Sequence, residues 1–379
     1  VKSGMNIAGM KIAKEAFNQL WWESKEEGFT ALEHEIVYRG ICSGCGLCAA
    51  VCPVDVIGFD EYPKLTGKCT NCGYCVMQCP RSFLRRGEIE ELRFGKKGEV
   101  LGVYDEIIAA RAKSKEILAK AQDGGVATAI LEYLFKNKKI DGAVVSGISS
   151  SQVWKPEPKI AKSISEVYDA RGSRYSTSPN LITLKEAKKS NLKKLAIVGT
   201  ACHIDGIGKL SEFEMEEIDM RSRIALSIGI FCKSTFHYNL ITELVSKKAD
   251  LAGIKKFNIK GKDFIVQGKE ELRIPLKEIE EYKRDGCRVC TDFTGRLSDL
   301  SIGSAGAPEG YSTVIIRTEK GKKLIEEMKK QNLIETKKMK SEDLEKIISL
   351  AALKQEQSKK SIEKKRRAEL PLPLRYLGD

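Results

Sequence analysis

The sequence predicts a small α+β domain rich in cysteine, then an α/β domain, then a basic helical tail. Three observations predict it. Eight of the twelve cysteines fall between Cys42 and Cys79 in two runs of identical spacing. From about residue 100, short β-branched runs alternate with helical stretches, the texture of an α/β domain with some parallel sheet. Beyond residue 318 the pattern is helical and basic, with seven Lys or Arg against two Glu between Lys354 and Arg367. At roughly 150 residues per domain, 379 residues suggest two or three domains. The segments drawn are 1–38, 39–95, 96–318 and 319–379.

In residues 1–38, Ile7, Met10, Phe17, Leu20 and Trp21 fall near one face at helical spacing, with Lys11, Lys14 and Glu15 elsewhere. Such an amphipathic helix either covers its own domain or docks on a partner subunit. The next segment carries Cys42-x2-Cys45-x2-Cys48-x3-Cys52-Pro53 and Cys69-x2-Cys72-x2-Cys75-x3-Cys79-Pro80. This is the spacing of a bacterial-type ferredoxin with two [4Fe–4S] clusters. Three thiolates two residues apart wrap one face of a cuboidal cluster, and Gly44, Gly46 and Gly73 relax the tight backbone this requires. The fourth cysteine of each run is carried to the other cluster. One cluster is therefore expected on Cys42, Cys45, Cys48 and Cys79, the other on Cys69, Cys72, Cys75 and Cys52. Zinc seldom uses this overlapping spacing.

In residues 96–318, strands are expected at 140–145, 195–198, 224–231 and 313–317, and helices at 125–136, 180–189 and 236–247. Cys202 and Cys232 each follow a strand, where ligands gather at the carboxyl edge of a parallel sheet. Cys287 and Cys290 form a CxxC in a polar loop. These four suffice for a third cluster and leave no cysteine unassigned, although buried structural cysteines or a redox CxxC fit the spacing as well. Gly206-Ile207-Gly208 lacks a third glycine at Ser211, so a Rossmann NAD(P) site is unsupported. The tail from 319 reads as helical, with a solvated face or an acidic partner as its expected surroundings.

Lys plus Arg total 65 against 52 Asp plus Glu, a net charge of +13 that predicts an anionic partner. With 7% aromatics and no recognition motif, nucleic acid is not that partner. A hydrophobic fraction of 42% excludes a disordered chain. Apolar runs such as 224–232 fall short of the roughly 18 residues that span a bilayer, and no signal peptide is visible, so a soluble cytoplasmic protein is expected. There, cysteines are read as metal or redox groups before disulfides.

Several segments carry a family resemblance. They are Gln122-Asp123-Gly124-Gly125, the run Arg171-Gly172-Ser173-Arg174-Tyr175-Ser176-Thr177-Ser178-Pro179, Val198-Gly199-Thr200-Ala201-Cys202-His203, Ile230-Phe231-Cys232, Cys287-Arg288-Val289-Cys290-Thr291-Asp292-Phe293 and Ile302-Gly303-Ser304. Over roughly 100–318 they resemble the coenzyme F420 hydrogenase/dehydrogenase beta-subunit family. With a ferredoxin fused ahead, the chain looks most similar to the input subunit of membrane F420H2 dehydrogenase complexes.

The resemblance implies FAD, a third [4Fe–4S] cluster on Cys202, Cys232, Cys287 and Cys290, and coenzyme F420 as substrate. It implies flavin contacts from Gln122, Asp123, Gly124, Gly125, Thr128 and Thr200. Arg171, Gly172, Ser173, Arg174 and Tyr175 suit phosphate or ring contacts by their guanidinium and hydroxyl donors, although an ordinary solvated loop fits them as well. A second loop, Ser304, Gly306, Tyr311, Ser312 and Thr313, reads as either a flavin contact or a plain turn. Lys233, Lys260, Lys262, Arg288 and Arg296 are candidates for the phosphate and glutamate tail of F420. The implied reaction is hydride transfer from F420H2 to FAD, then single electrons through three clusters to a partner subunit or ferredoxin. Any membrane association is peripheral, through partner subunits. A soluble F420H2:ferredoxin oxidoreductase, or the beta subunit of a formate dehydrogenase or hydrogenase, is the alternative. No acid–base side chain is required; His203, beside Cys202, is expected to be structural rather than a proton relay.

Overall fold

The computed structural model describes residues 27–82, 84–212 and 218–368. The predicted apolar face of residues 7–21 lies outside them. From Gly28 the chain is helical to Val37 and buries Phe29, Leu32 and Ile36 against the cysteine segment. That segment holds a two-stranded ribbon, β1 (Ile57–Phe59) with β2 (Pro63–Leu65), and one helical turn in each cysteine run, Leu47–Ala50 and Tyr74–Met77. Each turn starts on a left-handed glycine, Gly46 at φ +86° and Gly73 at φ +75°. A Cβ on Gly46 would lie 2.4 Å from the Pro179 carbonyl oxygen, so this glycine also lets the two domains approach.

The larger domain is built on β3 (Glu106–Ala112), β4 (Gly142–Ile148), β5 (Pro156–Ala161), β6 (Leu195–Thr200) and β7 (Ile224–Ile230), then β8 to β10 (Lys256–Lys260, Asp263–Gln267, Glu271–Pro275), and β11 (Leu300–Gly303), β12 (Ser312–Ile316) and β13 (Ile334–Lys338). Eight of these form one sheet in the order β13-β3-β12-β11-β7-β6-β4-β5. Its centre, β11-β7-β6-β4, is parallel, as the alternating texture predicted, and its flanks are antiparallel. Strands β8–β10 form a separate antiparallel sheet.

Period-two alternation assigns the sheet's two faces. Ala143, Val145 and Ala196 join one core with the Val126–Lys136 and Glu319–Lys330 helices. Val144, Leu195 and Ile197 join another with the Ala201–Glu212 helix and with Leu47 and Ala50 of the first cysteine run. The ferredoxin-like segment is thus packed into the sheet's second face. The glycines of the 206–208 run are helix interior. Cβ atoms there would meet Leu181 at 2.6 Å and Leu297 at 2.5 Å, so they serve packing.

Two expectations for the tail are corrected. Residues 334–338 form the edge strand β13 rather than helix, paired to β3. The Ser341–Arg366 helix is not simply a solvated face, because Ile347, Ala351, Lys354, Ser358 and Ile362 are buried along one stripe. At its end, Lys365 donates to the Arg39 carbonyl at 3.1 Å. Among the described residues no helix is long and apolar enough to cross a membrane.

Candidate redox centre

All twelve cysteines are free. Two cavities in the first segment are lined by the crossed sets that the spacing predicts. One is walled by Cys42, Cys45, Cys48 and Cys79 with Leu32, Ile36 and Phe59; the other by Cys52, Cys69, Cys72 and Cys75 with Val54, Val56 and Ile57. Among the described residues no three His, Cys, Asp or Glu side chains close on a single-ion site. Four soft thiols around each cavity suit an iron–sulfur cluster. Burial pushes the Cys45 and Cys75 thiols up to about 12 and Cys79 to about 11, with neighbouring cysteines adding to the shift of each. Buried thiols in this state ionise when a metal supplies the counter-charge.

The remaining four cysteines also converge. Cys202 opens the helix after β6, Cys232 follows β7, and Cys287 and Cys290 flank the end of the Asp285–Arg288 turn. Burial pushes Cys202 up to about 12, helped by Cys45, Cys290 and Cys287. Cys232 is raised by burial and by Cys287, Cys202 and Cys290. Cys290 would be raised by burial, but the Lys354 ammonium and Arg81 guanidinium bring it below its ordinary value. Gly286 makes the approach possible, since a Cβ there would lie 2.2 Å from the Cys42 carbonyl oxygen. The three thiol groups run in series: Cys202 feels Cys45, and Cys48 feels Cys75. At the far end Cys72 is exposed.

The other flagged loops meet the same carboxyl edge of the sheet. The Ser304 hydroxyl donates to the Asp123 carboxylate, and Ser312 Oγ accepts from the Gly124 N–H at 3.1 Å. Lys256, which the sequence reading missed, holds the 121–122 carbonyls at 3.1 and 2.9 Å. Tyr175 ties this edge to the third thiol group: burial, Asp123 and Cys232 all raise its phenol. Two features fit an anionic, polar ligand here. Gln122 Oε1, Ser146 Oγ and Ser176 Oγ are buried without a hydrogen-bond partner. Among the described residues Arg174 bonds only to the carbonyls of Gly147, Arg171 and Ser173, and burial pushes its guanidinium down to about 10. Buried guanidinium without a carboxylate is a natural phosphate partner. Thr128 is half-buried in the helix after Gly125, and Gly172 is left-handed at φ +91°.

Several expected contacts lie elsewhere. Arg296 is buried on Glu90 through two bonds of 2.8 and 2.7 Å, so it is not available to a substrate tail. Arg288 is paired with Glu280 at 2.6 Å. Gly306 faces the long basic helix, where a Cβ would meet the Asp343 carbonyl at 2.5 Å. Tyr311 donates to Glu335 at 2.6 Å, and Thr313 to the Ala305 carbonyl at 2.7 Å. Both brace the second loop, since a hydroxyl in a turn satisfies nearby backbone as readily as a ligand. Arg171 is spent on the Tyr168 and Glu116 carbonyls at 2.7 and 2.8 Å. Lys233, Lys260 and Lys262 are exposed. Thr200 Oγ1 lies 3.2 Å from Cys202 Sγ. His203 Nδ1 accepts from the Thr200 N–H at 3.1 Å, so Nε2 donates to the Ser178 carbonyl at 2.9 Å. Burial pushes this imidazole down to about 4. It is a neutral structural bridge at neutral pH.

Paired cysteine cavities fused to a sheet edge rich in unsatisfied polar groups define an iron–sulfur oxidoreductase. The chain belongs to the coenzyme F420 hydrogenase/dehydrogenase beta-subunit family: residues 107–185 match the N-terminal and 192–342 the C-terminal description of that family. Residues 35–58 and 62–85 each match a 4Fe-4S binding domain. The chain is 36% identical over 273 residues to coenzyme F420 hydrogenase subunit beta of Methanosarcina barkeri, covering 70% of this chain and 94% of that protein. It is 36% identical over 355 residues to the coenzyme F420-dependent sulfite reductase of Methanocaldococcus jannaschii, covering 88% of this chain and 52% of the reductase. With one of the subunits of the F(420)H(2) dehydrogenase of Methanosarcina mazei it shares 30% over 305 residues, covering 76% of this chain and 82% of that one. A chain of the F420-reducing [NiFe] hydrogenase complex from Methanosarcina barkeri superposes with a TM-score of 0.68 at 33% identity, covering 71% of this chain and 95% of that one.

Proposed function

We propose that this chain oxidises reduced coenzyme F420 and passes the electrons, one at a time, through three [4Fe–4S] clusters to a partner protein. The observation that carries this reading is the serial arrangement of three four-cysteine groups, one end beside the polar sheet edge and the other at the surface. FAD, when bound, converts a two-electron hydride into single electrons that iron–sulfur clusters accept. The protein's own groups bind and orient. Arg174 offers its guanidinium to a phosphate, the Gly124–Gly125 turn allows close backbone approach, and Lys256 and Ser312 hold that turn in place. Cys202, Cys232, Cys287 and Cys290 hold the cluster nearest this edge. The two crossed cavities hold the others, with exposed Cys72 marking the exit.

The F420-dependent sulfite reductase matches 88% of this chain, which spans about half of the reductase, and that pairing supports reading the two domains as an electron-input module. The input component of a membrane F420H2 dehydrogenase is the assembly we favour, because one protein of an F(420)H(2) dehydrogenase matches at a similar length. Mixing anaerobic holoprotein with F420H2 tests the reading: flavin and iron–sulfur absorbance should both bleach. Unchanged spectra from protein that carries its FAD would refute it.

A narrower test concerns Arg174. Removing a charge-assisted contact to phosphate costs about 1.5–3 kcal/mol, so Arg174→Met should weaken flavin retention roughly tenfold to a hundredfold. Arg174→Lys should recover only part, because a point charge lacks the planar fork. The flavin-to-protein ratio after gel filtration reads the effect.

A further inference from the structure

The buried stripe of the Ser341–Arg366 helix carries a charge where a bundle helix would carry an apolar side chain. Lys354 is 4% exposed. Its ammonium donates to the Cys232 carbonyl at 2.6 Å and to the Asp292 carbonyl at 2.7 Å. One turn on, the Ser358 hydroxyl donates to the Cys290 carbonyl at 2.8 Å. Residues four apart share a helix face, so both side chains reach the same group of thiols.

Burying an ammonium is costly unless anions compensate it. Burial lowers Lys354, but Cys290, Cys232 and Cys287, together with the Asp292 carboxylate, more than restore it. The ion pairs within this helix are Lys346–Asp343 and Lys360–Glu356, and Lys354 has no carboxylate in salt-bridge range among the described residues. The Asp292 carboxylate is turned to the backbone N–H groups of Thr294, Gly295 and Arg296. Among the described residues Arg81 also acts on the Cys290 thiol, and two further cations touch cysteine carbonyls but pair with carboxylates. Arg284, at 3.3 Å from the Cys42 carbonyl, pairs with Glu61, and Lys185, at 2.7 Å from the Cys52 carbonyl, pairs with Asp55.

We propose that Lys354 is a tuning residue for the cluster held by Cys202, Cys232, Cys287 and Cys290: its buried charge, held on the Cys232 and Asp292 carbonyls with no salt-bridged carboxylate, stabilises the reduced cluster and raises its potential relative to the other two. The inference rests on the third cluster of the proposed function. Reduction adds one electron, supplied by F420H2 through FAD, and makes the cluster one charge more negative without breaking a bond. A fixed cation favours that state, and hydrogen bonds and charge near the sulfurs are established levers on cluster potential. The nearest cluster thereby becomes the favoured first acceptor of electrons from the sheet edge.

The test is an EPR-monitored redox titration of full-length holoprotein, with iron counted in the same samples. Lys354→Met should keep the wild-type iron content while the midpoint of one cluster falls by at least 59 mV, a tenfold change in its reduction equilibrium. Lys354→Gln, which keeps N–H donors without charge, should show the same fall, and Lys354→Arg should stay near wild type. Full iron with an unchanged midpoint overturns the proposal. Loss of about four irons from both the Met and Gln variants also overturns it, making Lys354 a tether. Wild-type protein with only about eight irons instead fails the third-cluster reading itself, before any variant is compared.

Discussion

Replacing Cys287 and Cys290 together with serine is expected to lower iron from about twelve to about eight per chain and to abolish cluster reduction by F420H2, with flavin still bound. Both residues lie on one short segment, and their thiols share an electrostatic neighbourhood with Cys202 and Cys232. Two remaining thiolates cannot hold a cuboidal cluster. The crossed cavities share no ligand with this group, so their irons should survive. The consequence for turnover is total because this group stands between the sheet edge and Cys45. Iron analysis and difference spectra check it; retention of all the iron would mean that these cysteines are structural.

The second large effect is on stability. Arg86, at the start of the helix following the ferredoxin-like segment, grips Asp205 with bonds of 3.2 and 3.1 Å and reaches Thr291 at 3.3 Å. The ion-paired side chains are 4% and 2% exposed. Arg86→Met leaves a buried carboxylate without its partner, a loss of about 3–5 kcal/mol. Against total stabilities of roughly 5–15 kcal/mol, that is a large share of the fold's margin. Since Thr291 adjoins Cys290, the variant should also shed iron from the third group first. The double variant Arg86→Met/Asp205→Leu removes both charges and should regain much of the loss. Thermal melting with parallel iron counts reads both effects; an unchanged melting temperature in the single variant would show the pair to be dispensable.

The parts of this account legible in the sequence are the local ones. Cysteine ligands two or three residues apart carry their geometry in their spacing, and the crossed pairing of Cys52 and Cys79 follows from it. Strands such as β6 and β7 were visible because both their faces are buried, giving continuous apolar runs. By contrast, β13 is Ile-Glu-Thr-Lys-Lys, an edge strand whose lysines protect an open edge and imitate a solvated helix. Lys354, Arg284 and Lys256 escaped notice because their partners lie far away in sequence, at Cys232, Cys42 and Gln122. Composition also leaves Arg296 and Tyr311 ambiguous. A basic or hydroxyl residue near a motif looks identical whether it faces a ligand or, as here, Glu90 and Glu335.

The decisive experiment assays anaerobic holoprotein for iron and flavin and then titrates it with F420H2. About twelve irons and one FAD per chain are expected, with flavin and cluster bands bleaching as F420H2 is consumed. About eight irons, no flavin and no response to F420H2 would contradict this reading, leaving a two-cluster ferredoxin joined to a domain that does not oxidise F420H2.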